Sequence, residues 1–244
     1  MADIDAIILT PNLKSKQVKS KQVKSKSKSK GKEINHNISG DQNVQDIPSE
    51  LTACANTTFM CPVYGSIELP LTLINFYYHP YFQRLRRIKQ NGLCYLVFNS
   101  MCHTRMEHSL GVMHLAGIVV DKLRMDLNIQ ISKRTKELIQ LAGLYHDIGH
   151  TAFSHMFDFF VKESNIEFNQ NHCDNFFSYK DHEDRSLYLL KLVNCETKEL
   201  SEEELEFVSN LIIGNNNRDP RYYLYEIINN AKCGIDVDKM DYVI

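Results

Sequence analysis

Between Leu141 and Asp158 the chain reads Leu-Ala-Gly-Leu-Tyr-His-Asp-Ile-Gly-His-Thr-Ala-Phe-Ser-His-Met-Phe-Asp, three histidines and two aspartates set among apolar residues. Side chains that bind cations or move protons are therefore held against a core, where each needs a partner. His146 and Asp147 are adjacent, and His150 follows one helical turn after His146. Upstream, His108 lies in Arg105-Met-Glu-His-Ser-Leu-Gly-Val112. Downstream, Asp236 and Asp238 lie in Gly234-Ile-Asp-Val-Asp-Lys-Met-Asp-Tyr242. Two imidazoles and two carboxylates around one cation make a mixed nitrogen and oxygen site. Such a set suits Mn, Fe, Co, Ni, Mg or Zn and leaves positions for water and a substrate oxygen.

If His146 and Asp147 share an ion, the helix carrying them must end there, because successive residues on a helix diverge by about 100°. Gly149 permits such a break. The segment His146-Asp-Ile-Gly-His150 also resembles the HExxH of zinc proteases, but Asp is shorter than Glu and Gly149 weakens the helix that pattern requires.

Those residues need helices to carry them. From Arg105 to about Met125 the sequence is apolar nearly all round, which predicts a helix buried in a helical domain. Ser132 caps a helix over about 133–147, and residues 151–162 form a short one. His182 opens a helix to about Val193, and Ser201-Glu-Glu-Glu204 has capping-box spacing before Leu205, Val208, Leu211 and Ile212. Further helices are expected over 70–78, 80–90 with Pro80 at its start, 222–230 and 235–244. Residues 61–69 read as an extended segment or hairpin, Cys94-Tyr-Leu-Val-Phe98 as extended, and 163–180 as a loop. The fold class is all-α, with at most a minor β-hairpin.

Residues 1–55 form a Lys/Ser-rich tail and linker expected to be disordered, ahead of a domain over 56–244. Lys14-Ser-Lys-Gln-Val18 repeats at 19–23, and residues 14–32 hold nine lysines and no acid. The segment buries too little to offset the entropy of ordering, and weak nucleic-acid contact is its alternative use. With the net charge at −2 overall, the remainder is acidic, so affinity for phosphate must come from local clusters. Seven cysteines, none in a CxxC pair, and a start without the features of a secretory leader predict reduced thiols in an intracellular protein, nuclear or cytoplasmic. No apolar run is long enough to span a bilayer, so no membrane association is expected.

The spacing of His108, His146-Asp147 and Asp238 resembles the HD-domain superfamily of metal-dependent phosphohydrolases. Tyr64-Gly-Ser-Ile-Glu-Leu69, Phe82-Gln-Arg-Leu-Arg-Arg-Ile-Lys-Gln90, His103–Val112, residues 141–158 and the stretch from Leu224 to Tyr242 are similar, in order, to the dNTP triphosphohydrolases that pair a SAM domain with an HD domain. The resemblance implies hydrolysis of a deoxynucleoside triphosphate to deoxynucleoside and triphosphate, with one divalent metal ion (Mn, Fe, Zn or Mg) on His108, His146, Asp147 and Asp238. It implies that Arg105, Lys239 and Tyr242 meet the nucleotide, with Asp236 beside them and Gln90 near the sugar. His150, His155 and His182 would flank the reacting phosphorus, His155 protonating the departing 5′ oxygen and His182, steadied by Asp158, partnering the attacking water.

The sequence departs from that family in places. Only Val243 and Ile244 follow Tyr242, where the family continues into a lobe with further substrate and oligomer contacts, so weaker substrate binding is expected. Gln83 and Arg86 match the family's guanine-nucleotide site, but Tyr78 stands in place of its acid and residues 57–64 lack its polar side chains. A homo-oligomer stays open, and one assembled by GTP is not expected. No SAM domain is expected ahead of the HD region, where the Lys/Ser tail stands, and Asn91 replaces an apolar residue beside the expected sugar contact. Two alternatives remain: a weak or inactive paralogue that binds metal, nucleotide or a full-length relative, and a phosphohydrolase of another nucleotide such as a monophosphate.

Overall fold

A computed structural model describes residues 57–164, 181–216 and 219–244. The expected tail over 1–55 and nearly all of the expected loop over 163–180 lie outside the described residues. Strands β1 (Thr57–Cys61) and β2 (Gly65–Leu69) form a two-stranded antiparallel hairpin, with Thr57 opposite Leu69 and Cys61 opposite Gly65. Gly65 turns the chain with φ 73°, a value open to glycine without steric cost. The rest is mostly helical.

Helices α1 (Ile74–Tyr78) and α2 (Pro80–Gln83) follow, with Pro80 in the first turn of α2 where its missing N–H costs nothing. The helix expected to reach residue 90 stops sooner, in a 3₁₀ turn over Arg84–Arg87. Residues 88–90 are instead drawn out to pair with the chain entering the next helix: Arg105 N–H donates to Ile88 O (2.8 Å) and Gln90 N–H to His103 O (3.1 Å). Tertiary pairing thus overrides local propensity, and it brings Gln90 beside Arg105. The segment expected to be extended at 94–98 is a 3₁₀ turn over Cys94–Leu96, closed by bonds such as Leu96 N–H to Leu93 O.

Helix α3 (Arg105–Asp126) runs through the domain, and α4 (Lys133–Tyr145) packs along it. Thr104 and Glu107 form a capping box on α3, and Ser132 caps α4 as expected. Val112, Met113, Ala116 and Val120 of α3 and Ile139, Leu141, Ala142 and Leu144 of α4 are all fully buried. Burial of such side chains contributes roughly 1.5–3 kcal/mol each for the larger ones. Helices α5 (His155–Ser164), α6 (His182–Thr197) and α7 (Glu202–Ile212, with the Ser201–Glu204 capping box) complete the bundle. The helix expected at 222–230 is a 3₁₀ turn over Tyr222–Ile227, and the final helix α8 spans Val237–Tyr242. Among the described residues, no helix is long and apolar enough to cross a membrane.

Candidate metal centre

Helix α4 ends at Tyr145, just ahead of the two residues that had to leave a regular helix to converge. His146 to Gly149 form a turn, so His146 and His150 do not share a helix and the protease-like arrangement is absent. His108 comes from the second turn of α3, and Asp238 from the first turn of α8.

The four groups meet. The Nε2 atoms of His108 and His146 are 3.3 Å apart, and each lies 3.5 Å from Asp147 Oδ2. Asp238 Oδ1 is 2.9 Å from His108 Nε2 and 3.6 Å from His146 Nε2. Donors about 2.1 Å from a common ion stand roughly 3.0 Å apart across a right angle and roughly 3.4 Å apart in a tetrahedron. The spacings among His108, His146 and Asp147, and those from Asp238 to both imidazoles, suit donors to one ion. His108, His146 and Asp147 are buried, whereas the Asp238 side chain is 45% exposed, which leaves that side of the site open. A cleft of about 140 Å³ reaches it, lined by His146, Asp147, His182, Glu183, Asp236 and Asp238 among others.

Both imidazoles are oriented from behind. His146 Nδ1–H donates to Gly143 O (2.8 Å), and His108 Nδ1–H donates to Asp241 Oδ2 (2.6 Å). Each bond fixes the tautomer that turns the Nε2 lone pair toward the site. Tyr64 Oη–H donates to Asp241 Oδ1 (2.7 Å), and burial and that carboxylate raise the Tyr64 pKa. Gly111 leaves room for this pair, since a Cβ there would lie 2.7 Å from Asp241 Cγ and 3.0 Å from Tyr64 Cε2. Burial opposes a charge on His108, but bonds to Asp238 and Asp241 and the charge of Asp147 prevail and raise its pKa to about 9. A cation entering the site therefore displaces a proton. Asp241→Asn is expected to weaken zinc affinity about 10–100-fold with the fold intact, as read by competition with a chelating dye. Unchanged affinity would show that Asp241 does not act through His108.

A second cluster adjoins the first. His150 stacks on His182 with ring centroids 4.0 Å apart, and His155 meets both edge-on at 4.8 and 5.1 Å. His150 is fully buried; burial pushes its pKa down to about 3, so its ring is neutral. Its Nε2 lies 3.3 Å from Asp147 Oδ1. Burial and then Arg105 lower the pKa of His155. His150, His155, Asp158 and His182 also lie close enough to hold an ion. Asp158, however, is already engaged by His182 Nδ1–H (2.9 Å) and by Arg185, which together outweigh burial and hold its carboxyl at about 2. The first group has beside it Asp238, whose half-exposed carboxylate faces both imidazoles, and fits a cation better.

Arg105 is buried and directed inward, donating to Asp147, to Gln90 O (3.2 Å) and to Ser154 Oγ (3.2 Å). Gln90 is buried beside it, with its Oε1 lacking a hydrogen-bond partner among the described residues. Asp236 lines the cleft, and its carboxylate caps α8 by accepting from Lys239 N–H (2.9 Å) and Asn230 N–H (3.0 Å). Lys239 and Tyr242 are exposed on α8, the Lys239 Nζ 5.8 Å from the Tyr242 ring, and neither lines the cleft. Sequence reasoning missed Asp241, Tyr64, Arg84, Arg185 and Ser186, which act on the site residues from behind. Only Asp241, one turn after Asp238 on the same helix, carried a local signal.

Residues 105–243 match the HD domain family pattern. A deoxynucleoside triphosphate triphosphohydrolase SAMHD1 homolog from Dictyostelium discoideum is 33% identical over 186 residues, covering 74% of this chain and 34% of its own length. SAMHD1 of Homo sapiens, a deoxynucleoside triphosphate triphosphohydrolase, is 38% identical over 196 residues, covering 74% and 31%. A putative HD domain-containing protein, L394, of Acanthamoeba polyphaga mimivirus is 34% identical over 201 residues, covering 76% and 41%. The chain thus spans well under half the length of these curated relatives.

Proposed function

This chain belongs to the HD-domain family, and on that premise we propose that it hydrolyses deoxynucleoside triphosphates to deoxynucleoside and triphosphate. The observation that carries the reading is the placement of Asp147. Its Oδ2 faces the Nε2 atoms of His108 and His146, while its Oδ1 faces His150, so the cation donors and the imidazole cluster share one carboxylate.

His108, His146, Asp147 and Asp238 would hold a divalent cation. Such an ion supplies Lewis acidity toward a phosphoryl oxygen and lowers the pKa of water. The other roles fall to the chain itself. Arg105 balances charge developing on phosphoryl oxygen from a buried position, where such a contact is strong. Water attacks the phosphorus next to the sugar, the bond to the 5′ oxygen breaks, and His155 gives that oxygen its proton. His155 is held neutral in the free protein, and the charge of a bound triphosphate raises its pKa toward the range where it can serve as an acid. His182, oriented by Asp158, holds the attacking water and accepts its proton. Gln90, whose amide oxygen has no partner among the described residues, offers an acceptor to a sugar hydroxyl.

Metal-loaded protein given each dNTP in turn is expected to release triphosphate and deoxynucleoside, separated by ion-exchange chromatography. Metal binding without triphosphate release from any dNTP would replace this reading with a nucleotide- or metal-binding module, which the position of Lys239 and Tyr242 outside the cleft favours. Cleavage of monophosphates alone would make the chain a different phosphohydrolase.

A further inference from the structure

The turn over 146–150 presents two metal donors and His150 yet belongs to no helix, so its carbonyl groups need other partners. Buried side chains provide nearly all of them. Ser186 Oγ–H donates to His146 O (2.7 Å) and accepts from Gly149 N–H (2.8 Å). Arg84 donates to Ile148 O and to His150 O (2.5 Å), and Arg185 Nε–H donates to Gly149 O (2.9 Å). Asp147 O accepts from His150 N–H (3.1 Å) within the turn. Gly149 lets α6 approach this closely, because a Cβ there would lie 2.8 Å from the backbone carbon of Arg185.

Arg185 stands apart among these partners. It is fully buried, and its other arm donates to Asp158 Oδ1 while Asp158 Oδ2 holds His182 Nδ1. One rigid fork therefore touches both the turn bearing the metal donors and the carboxylate that orients His182. A buried guanidinium is expensive to desolvate, and a neutral donor could satisfy Gly149 O alone. Only a planar cation with two arms satisfies the carbonyl and the carboxylate together.

We propose that Arg185 is a positioning residue that joins the metal-binding turn to the Asp158–His182 pair, so that the cation donors and the proton-handling imidazole keep one fixed separation. The functional part of this rests on the proposed hydrolysis; the structural part does not. Arg185→Lys keeps the charge and loses the fork.

In zinc-loaded, full-length protein carrying ¹⁵N-histidine, Arg185→Lys is expected to release His182 from its single Nδ1–H tautomer and to weaken zinc affinity about 10-fold, the lower end for a residue behind a metal ligand. Triphosphate release should lose kcat with KM within about twofold, and the losses from Arg185→Lys and Asp158→Asn should combine to less than their sum, because both changes break the Arg185–Asp158 linkage. Arg134→Lys, which disturbs the distant ion pair with Glu204, should leave tautomer and zinc affinity unchanged. If Arg185→Lys folds with tautomer and zinc affinity as in wild type, the proposal is overturned. If it does not fold, Ser186→Ala, which cuts the neighbouring link, should still weaken zinc binding, and unchanged affinity there would overturn it as well. A wild-type protein that releases no triphosphate would end the proposed hydrolysis while the tautomer and zinc measurements still decide the role of Arg185.

Discussion

Replacing His146 and Asp147 together by alanine is expected to remove stoichiometric metal binding and to lower triphosphate release at least ~10³-fold, at the upper end of what a single electrostatic group contributes. Each of the two supplies one donor to the polyhedron, and Asp147 also holds Arg105. Asp147→Ala by itself leaves a buried guanidinium with only neutral acceptors, a situation that costs about 3–5 kcal/mol. Asp147→Asn keeps the side-chain shape and separates the two effects. It should lose most of the activity while destabilising the fold less than Asp147→Ala does. The measurements are elemental analysis per chain, triphosphate release and the urea denaturation midpoint. Full metal content in the double variant would contradict the assignment of these donors.

The second large effect is on folding. Gly149→Ala is expected to destabilise the protein by more than ~3 kcal/mol, beyond the usual cost of overpacking, because a Cβ would strike backbone atoms of His182, Arg185 and Ser186. Backbone atoms cannot swing aside as the end of a flexible side chain can. The first turn of α6 would have to lift from the metal-binding turn, carrying His182 with it. Gly143→Ala serves as the comparator: its Cβ would stand 3.2 Å from the backbone of Met113, a tight contact that a small shift of α3 relieves. Thermal or urea unfolding should rank Gly149→Ala well below Gly143→Ala. A Gly149→Ala protein as stable as wild type would show that the turn does not pack on α6.

Helices whose signals are local were legible in the sequence. Ser132 and the Ser201–Glu204 box mark helix starts through side chains that reach only three residues along the chain, and α3 declares its burial by being apolar on every side. The helix expected to run to about 147 ends at Tyr145, close to where a break was required if His146 and Asp147 share an ion. Where tertiary pairing decides, local reading failed. Residues 88–90 left their helix to pair with 103–105, and 94–98 closed into a 3₁₀ turn.

At the site, types and spacing pointed to His108, His146, Asp147 and Asp238 as cation donors, and the structure brings Asp147 and Asp238 each beside both imidazoles. The groups behind them were not legible. Tyr64 supports His108 through Asp241, which is 177 positions from Tyr64 in the chain, a proximity that no periodicity encodes. Arg84 and Arg185 read as ordinary helical cations until the fold turns them inward onto carbonyl groups. Asp236, expected beside the nucleotide, lines the cleft and also caps α8, a structural role that spacing alone did not reveal.

The most direct test of the centre is anomalous diffraction at the metal edge from crystals of the zinc- or manganese-loaded protein. One peak per chain is expected, about 2.0–2.2 Å from the Nε2 atoms of His108 and His146 and from carboxylate oxygens of Asp147 and Asp238. A peak lying instead among His150, His155 and His182, or an ion bound without His108 or Asp238, would contradict it.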